Sequence, residues 1–165
     1  MLNGFGRPGA TEMDLILWRH AEAHPLRDGQ TDLERRLTAQ GERQARRMGL
    51  WLQQRLPATT RLLVSPAART VATADALERR YRIEPLLAPD QDVDALLRAA
   101  QWPDAVTPVL IVGHQPTLGL VASRLLAGSE QAWSVKKGGV WWLRSRVRDG
   151  QFQTVLHAAM ATDML

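Results

Sequence analysis

Apolar and polar positions alternate in blocks along this chain, and each block predicts one element. Met13 to Trp18 is apolar apart from one acid and reads as a buried strand. A polar loop from His24 to Arg36 follows, with Pro25 and Asp28-Gly29 as turn signals. Thr38 is suited to cap a helix on which Ala45, Met48, Gly49, Leu52 and Leu56 share one face, and Pro57 ends it. Arg61 to Val64 predicts a second strand. Ser65-Pro66 is expected to open a second helix running to about Arg80, with Ser65 as its cap. Ile83 to Leu87 predicts a third strand, Asp92 to Gln101 a helix, Pro108 to Val112 a fourth strand, and Thr117 to Ala127 a helix. Ala132 to Val135, Gly139 to Arg148 and Phe152 to His157 read as strands, separated by turns at Gly138-Gly139 and Asp149-Gly150. Strands alternating with helices predict an α/β fold. It has three α/β/α layers, a mostly parallel sheet and an antiparallel ribbon at the C-terminal end.

Composition narrows the class without naming a chemistry. A chain of 165 residues, 45% hydrophobic and 23% charged, fits one globular domain. The expected division is a flexible leader over residues 1–12, rich in Gly and Pro, and one domain over 13–165; Met13 is a candidate alternative start. There is no cysteine, which excludes disulfides, thiolate catalysis and zinc-thiolate sites and fits a cytoplasmic location. No apolar run is long enough to span a membrane, so no membrane partner is expected. The net charge is +4, with lysine only at Lys136 and Lys137 and arginine everywhere else. The arginines are scattered among acids, so the excess reads as compositional bias rather than as a nucleic-acid-binding stripe. Arg144, Arg146 and Arg148 alternate and should share one strand face. Lys136-Lys137, ahead of the Gly-Gly turn, reads as solvated, with contact to an acidic partner as the other possibility.

Candidate chemistry lies where apolar runs end. Arg19-His20, Arg69 and His114 sit at or just past three predicted strands. In a parallel sheet those ends share one edge, where open α/β sheets bind ligands. Any one of these residues alone is ordinary. Two Arg and two His converging there suit a bound phosphate: guanidinium forks match its oxygens, and helix N-termini add backbone N–H groups. A neutral imidazole can attack phosphorus without a metal, and a second, protonated one can stabilise the charge. A metal site on His20, His24 and His114 with Glu22 ranks lower. Short helical His spacings are absent, and Arg19 and Arg69 would repel a dication.

The ordered motifs resemble those of the histidine phosphatase superfamily, and within it the small SixA-type phosphohistidine phosphatases. They are Arg19-His20-Ala21, Leu37-Thr38-Ala39-Gln40-Gly41, Ser65-Pro66-Ala67-Ala68-Arg69 continued by Thr73-Ala74, and Gly113-His114-Gln115-Pro116. The resemblance spans the chain from Met13 onward. It implies a phosphoglycerate mutase-like fold, phosphatase activity, and no metal or organic cofactor. It makes His20 the nucleophile that becomes phosphorylated, with Arg19, Arg69 and His114 as the rest of the phosphate pocket.

Many members of that superfamily protonate an alcohol leaving group with a carboxyl. The candidates here are Asp90, Asp92 and Glu22, and no motif chooses among them. An imidazole leaves more easily than an alkoxide, so a weak or absent acid favours phosphohistidine over a small phosphate monoester. Short connections imply a shallow, open pocket able to receive a phosphohistidine on a signalling or phosphocarrier protein, with His24 at its border. A monomer is favoured. A non-catalytic anion- or nucleic-acid-binding module is the third reading, and it leaves the ordered motifs unexplained. The six Trp residues read as core or sheet packing, with one of Trp141 and Trp142, which must face opposite ways, as a possible exposed contact. His157 has no motif support.

Overall fold

The computed structural model describes residues 12–165. The expected leader lies outside the described residues except for Glu12. The regular elements are β1 (Met13–Arg19), α1 (Ala39–Gln53), β2 (Arg61–Val64), α2 (Ala68–Asp75), β3 (Arg82–Ile83), α3 (Val93–Ala100), β4 (Val109–Gly113), α4 (Thr117–Ala127), β5 (Val140–Arg148) and β6 (Gln151–Met160). They form a six-stranded sheet in the order β3-β2-β4-β1-β5-β6. The first four strands in that order run parallel; β5 is antiparallel to β1, and β6 is antiparallel to β5.

The side-chain alternation of β1 divides the core between the two faces of the sheet. Leu15 and Leu17 pack with Leu96 of α3 and with Leu118 and Val121 of α4. Ile16 and Trp18 pack with Met48 and Leu52 of α1 and with Ala74 of α2. The fold is therefore α/β/α, with α1 and α2 on one face and α3 and α4 on the other. Because both faces are covered, β4 is apolar throughout and β1 is apolar apart from Asp14 and the terminal Arg19, with no alternation. Trp141 and Trp142 point to opposite faces, and each packs into its own side of the core, so neither is a free surface contact.

Several predicted boundaries differ from the observed ones. Helix α2 begins at Ala68, not at Ser65-Pro66, and ends at Asp75 rather than near Arg80. Ser65 is drawn off as a cap because its hydroxyl bonds to His114. Glu78 then takes a left-handed backbone, which prevents continuation of the helix. The third strand is only Arg82–Ile83, and Pro85–Leu87 form a 3₁₀ turn. Ala132 to Val135 is not a strand. It is an irregular segment that serves as an acceptor: the carbonyls of Trp133 and Val135 take bonds from Gln115 and Arg19.

The exit of β1 is fixed against the start of α1. Thr38 caps α1: its hydroxyl accepts from Gly41 N at 3.0 Å and donates to Glu22 Oε1 at 2.8 Å. Thr38 N donates to Glu22 O at 3.0 Å, and Glu22 N donates to the Gln44 side chain at 2.9 Å. Gly41 is required because a Cβ there would run into the Glu22 carbonyl. This explains the Leu-Thr-x-x-Gly pattern as a clamp on the segment that follows β1. Gly41→Ala is expected to cost about 1–3 kcal/mol through overpacking. The check is a lowered urea midpoint with an unchanged slope; an unshifted midpoint would show that the helix slides freely on β1.

Candidate active site

Three parallel strands deliver the chemistry-bearing residues to one edge. The β1–β4 register sets Arg19 opposite Gly113, and the β2–β4 register sets Val64 opposite Val112. The ladder runs one residue further on each side: His20 N donates to Gly113 O at 3.1 Å, and Ser65 N donates to Val112 O at 3.1 Å. His20, Ser65 and His114, each immediately after its strand, are therefore neighbours. The rings of His20 and His114 lie 5.3 Å apart. His114 Nε2 and Ser65 Oγ are 2.7 Å apart, and Arg69, in the first turn of α2, donates to His114 Nδ1 at 3.4 Å.

These contacts fix both tautomers. His20 Nδ1 lies 2.7 Å from Ala21 O, which can only accept, so Nδ1 carries the proton and Nε2 keeps a free lone pair. Arg69 can only donate, so His114 Nδ1 accepts and Nε2–H points to Ser65. His20 is pushed down to about 4, chiefly by burial; the Ala21 bond opposes the shift, and the nearby charges of Arg69, Arg19 and Arg35 add to it. Burial likewise pushes His114 down to about 3, assisted by the Arg69 charge. Both rings are neutral at pH 7. The protonated His114 expected for charge stabilisation is not its state in the free protein, because burial and the surrounding arginines oppose it. Binding a phosphoryl dianion supplies the opposite field.

Arg69 is only 3% exposed. Its Nη1 donates to Asp32 O at 2.7 Å and its Nη2 to Asp32 Oδ2 at 2.9 Å. Its Nε is buried without a partner, as is Nε of Arg19. Two orphaned guanidinium donors beside a free imidazole nitrogen suit an anion with several acceptor oxygens. Arg19 also donates from Nη1 to Val135 O at 2.8 Å.

Asp32 and Arg35 are the residues that sequence reasoning missed. Both lie in the polar loop, where a 3₁₀ turn (Asp32–Glu34) brings Asp32 over Arg69. Burial raises the Asp32 carboxyl, but hydrogen bonds from Arg69 and Arg35 outweigh that and hold it below the usual carboxylate range. Asp32 is thus ionised and orients Arg69. Arg35 bonds Asp32 Oδ1 and His24 O. Their only signal in the sequence is the adjacent pair Arg35-Arg36 at the end of the polar loop. His20 and His114 are just 8% and 4% exposed.

None of the three proton-donor candidates hydrogen-bonds to His20, Arg69 or His114. Asp92 caps α3, its Oδ1 accepting from Ala95 N at 2.9 Å. Asp90 is exposed on the preceding turn. Glu22 is engaged with Thr38. His24 contributes main-chain bonds to Arg36 and Arg35. Among the described residues, no group of three or more His, Cys, Asp or Glu is arranged to hold a metal ion.

The sheet, its ligand edge and the His–Arg cluster define a phosphoryl-handling α/β protein. The sequence profile of the histidine phosphatase superfamily (branch 1) matches residues 15–92. An uncharacterized protein of Mycobacterium leprae is 36% identical over 113 residues, covering 65% of this chain and 70% of its own. A phosphohistidine phosphatase SixA homolog of Haemophilus influenzae is 29% identical over 128 residues, covering 68% and 77%. The structure of a candidate phosphohistidine phosphatase SixA from Nakamurella multipartitia superposes with a TM-score of 0.76 at 26% identity, covering 93% of this chain and 98% of that one. The chain belongs to the histidine phosphatase superfamily and is a phosphatase with the phosphoglycerate mutase-like fold.

Two outcomes follow from the site's electrostatics. Both histidines have folded-state values below their unfolded value of 6.5, so below that pH the unfolded chain binds more protons. Stability should therefore fall as pH drops from 6.5 towards about 4, by at most about 1.4 kcal/mol per pH unit for each histidine. Urea midpoints between about pH 7 and pH 5 measure this slope, and His114→Asn should reduce it; equal slopes would contradict the buried neutral assignment. Separately, Asp32→Ala should lower kcat/KM on the order of 10-fold by loosening Arg69, with partial recovery in Asp32→Asn. Steady-state kinetics checks it, and unchanged kinetics would mean that Arg69 is held without Asp32.

Proposed function

We propose that this phosphatase hydrolyses phosphohistidine on a signalling or phosphocarrier protein, through a phosphorylated His20. The observation that carries the reading is the state of His20: neutral, protonated at Nδ1 and unoccupied at Nε2, beside guanidiniums with unused donors. The Nε2 lone pair attacks phosphorus and forms a P–N bond. The bond from phosphorus to the substrate imidazole breaks, and its electron pair returns to that ring, which takes a proton from water. Water then attacks the phosphorus on His20, the P–Nε2 bond breaks, and inorganic phosphate leaves. Arg19, Arg69 and a His114 made more basic by the dianion neutralise the equatorial oxygens throughout.

The placement of the carboxyls supports a phosphoramidate over a monoester. Asp32, in direct contact with the site, is held ionised and cannot serve as an acid. Asp92 is spent as a helix cap. An alkoxide needs protonation as it leaves, whereas an imidazole leaves with much less help. The relatives described as phosphohistidine phosphatases point the same way. No described helix is long and apolar enough to cross a membrane, which suits a cytoplasmic phosphoprotein substrate.

The test compares a phosphohistidine-bearing protein with a panel of phosphate monoesters, with His20→Ala as control. Preferential turnover of the phosphoprotein, abolished in His20→Ala, is expected. Asp90→Asn and Asp92→Asn should each change that rate less than about 3-fold, since an imidazole leaving group needs little acid assistance. Preference for a monoester, with loss on replacing Asp90 or Asp92, would transfer the assignment to small-molecule phosphate chemistry.

A further inference from the structure

Beside the histidine pair lies a groove of about 490 Å³ that the chemistry above does not use. Its lining includes Arg19, Arg43, Arg47, Lys136 and Lys137 against one carboxylate, Asp163. His20, Arg69 and His114 do not line it, so Arg19 is the residue shared by groove and site. Two basic clusters far apart in the sequence line it together. Arg43 and Arg47 are four residues apart on α1 and share one face of it. The Lys136-Lys137 turn is held at the end of β1 by three main-chain-directed bonds: Arg19 N to Gly139 O at 3.0 Å, Gly138 N to His20 O at 3.0 Å, and Trp18 Nε1 to Gly138 O at 3.1 Å.

These cations are weakly compensated. Arg43 donates to a neutral partner, Gln40 Oε1, at 2.9 Å. Lys136 reaches Asp163 only at 3.9 Å, with both side chains more than two-thirds exposed. Among the described residues, neither Arg47 nor Lys137 pairs with a carboxylate. Like charges are gathered on an open surface without internal neutralisation, and the fold itself gains nothing from that.

We propose that this groove docks acidic side chains on the protein that presents the phosphohistidine, and so directs its imidazole to His20. The proposal rests on the phosphohistidine reading above. The character of the lining selects a protein partner. The cations sit on exposed, flexible arms rather than in a buried, preorganised cage, as a small polyanion would require. The lining contains no aromatic residue to stack a base, and single-stranded nucleic acid relies on such platforms. Carboxylates spaced along a helix surface match cations one turn apart on α1, and they steer encounter at low salt.

The experiment uses the full chain, a small acidic phosphotransfer protein carrying phosphohistidine, and free phosphohistidine as a small substrate. The variant is Arg43→Glu/Arg47→Glu/Lys137→Glu, all at exposed positions outside the reacting cluster. Its KM for the phosphoprotein should rise on the order of 10-fold or more, with kcat and free-phosphohistidine turnover unchanged. Raising salt from about 0.05 to about 0.5 M should raise the wild-type KM for the phosphoprotein and leave the variant's nearly flat. An unchanged phosphoprotein KM in the variant would overturn the docking role and leave the phosphohistidine reading intact. Equal losses on both substrates would overturn it by making the groove part of the reacting site. Failure of the wild type on both phosphohistidine substrates, with turnover of a monoester, would remove the phosphohistidine reading and the docking role together.

Discussion

A guanidinium buried to the depth of Arg69 is the constraint around which the site is organised. A charge at 3% exposure must be met by acceptors or it costs several kcal/mol. The fold meets it with Asp32, through both a main-chain carbonyl and a carboxylate. That one requirement brings the polar loop against Arg69 and keeps Asp32 ionised. It also accounts for the protonation of the two imidazoles: Arg69 supplies a cationic field that reinforces the burial holding His20 and His114 neutral. The compensation is incomplete by one donor, Nε, and the same is true of Arg19. The cluster thus retains donors that an anion would take.

The parallel register converts this local arrangement into a site. β4 lies between β1 and β2, so the residues that follow these three strands meet although they are far apart in the chain. The continuation of the ladder through His20 N and Ser65 N leaves little freedom in where the two histidines sit. Rigid placement matters because phosphoryl transfer draws its rate from positioning and electrostatics rather than from elaborate covalent chemistry. The Gly41 and Gly138 backbones serve the same end from outside the site. One lets α1 press on the exit of β1, and the other, at φ +70°, turns the chain back over Arg19.

The parts of this architecture visible in the sequence were those set by periodicity and strand ends. β1, β4 and α4 were legible because they are long apolar or amphipathic segments between clear punctuation. Arg19, His20, Arg69 and His114 were legible because each follows such a segment. The start of α2 was misplaced because Ser65 has two possible partners, a helix N-terminus and an imidazole, and only the fold reveals that His114 takes it. Asp32 was invisible for a related reason. Its partner lies 37 positions away on another element, and a polar loop offers no period from which contact could be inferred. Ala132 to Val135 has strand-like composition, yet its carbonyls are taken by side chains rather than by a neighbouring strand, so no ladder forms.

Charge distribution separates two tasks that a small domain must perform with one surface. In the reacting cluster Arg69 is held by Asp32 and Arg19 by the Val135 carbonyl, and the buried setting of Arg69 strengthens its field at the phosphoryl position. The groove beyond Arg19 is open, and Arg43, Arg47, Lys136 and Lys137 are exposed there, so its field reaches outward over a Debye length and weakens with salt. Arg19 belongs to both, half-buried, with one hydrogen bond to Val135 O and a buried Nε that has no partner. Under the docking proposal, a substrate that brings both a phosphoryl dianion and surface carboxylates would be favoured by the two fields together, and a free monoester by only one. Discrimination between them then requires no wall around the leaving group. It follows from where the uncompensated charge was left.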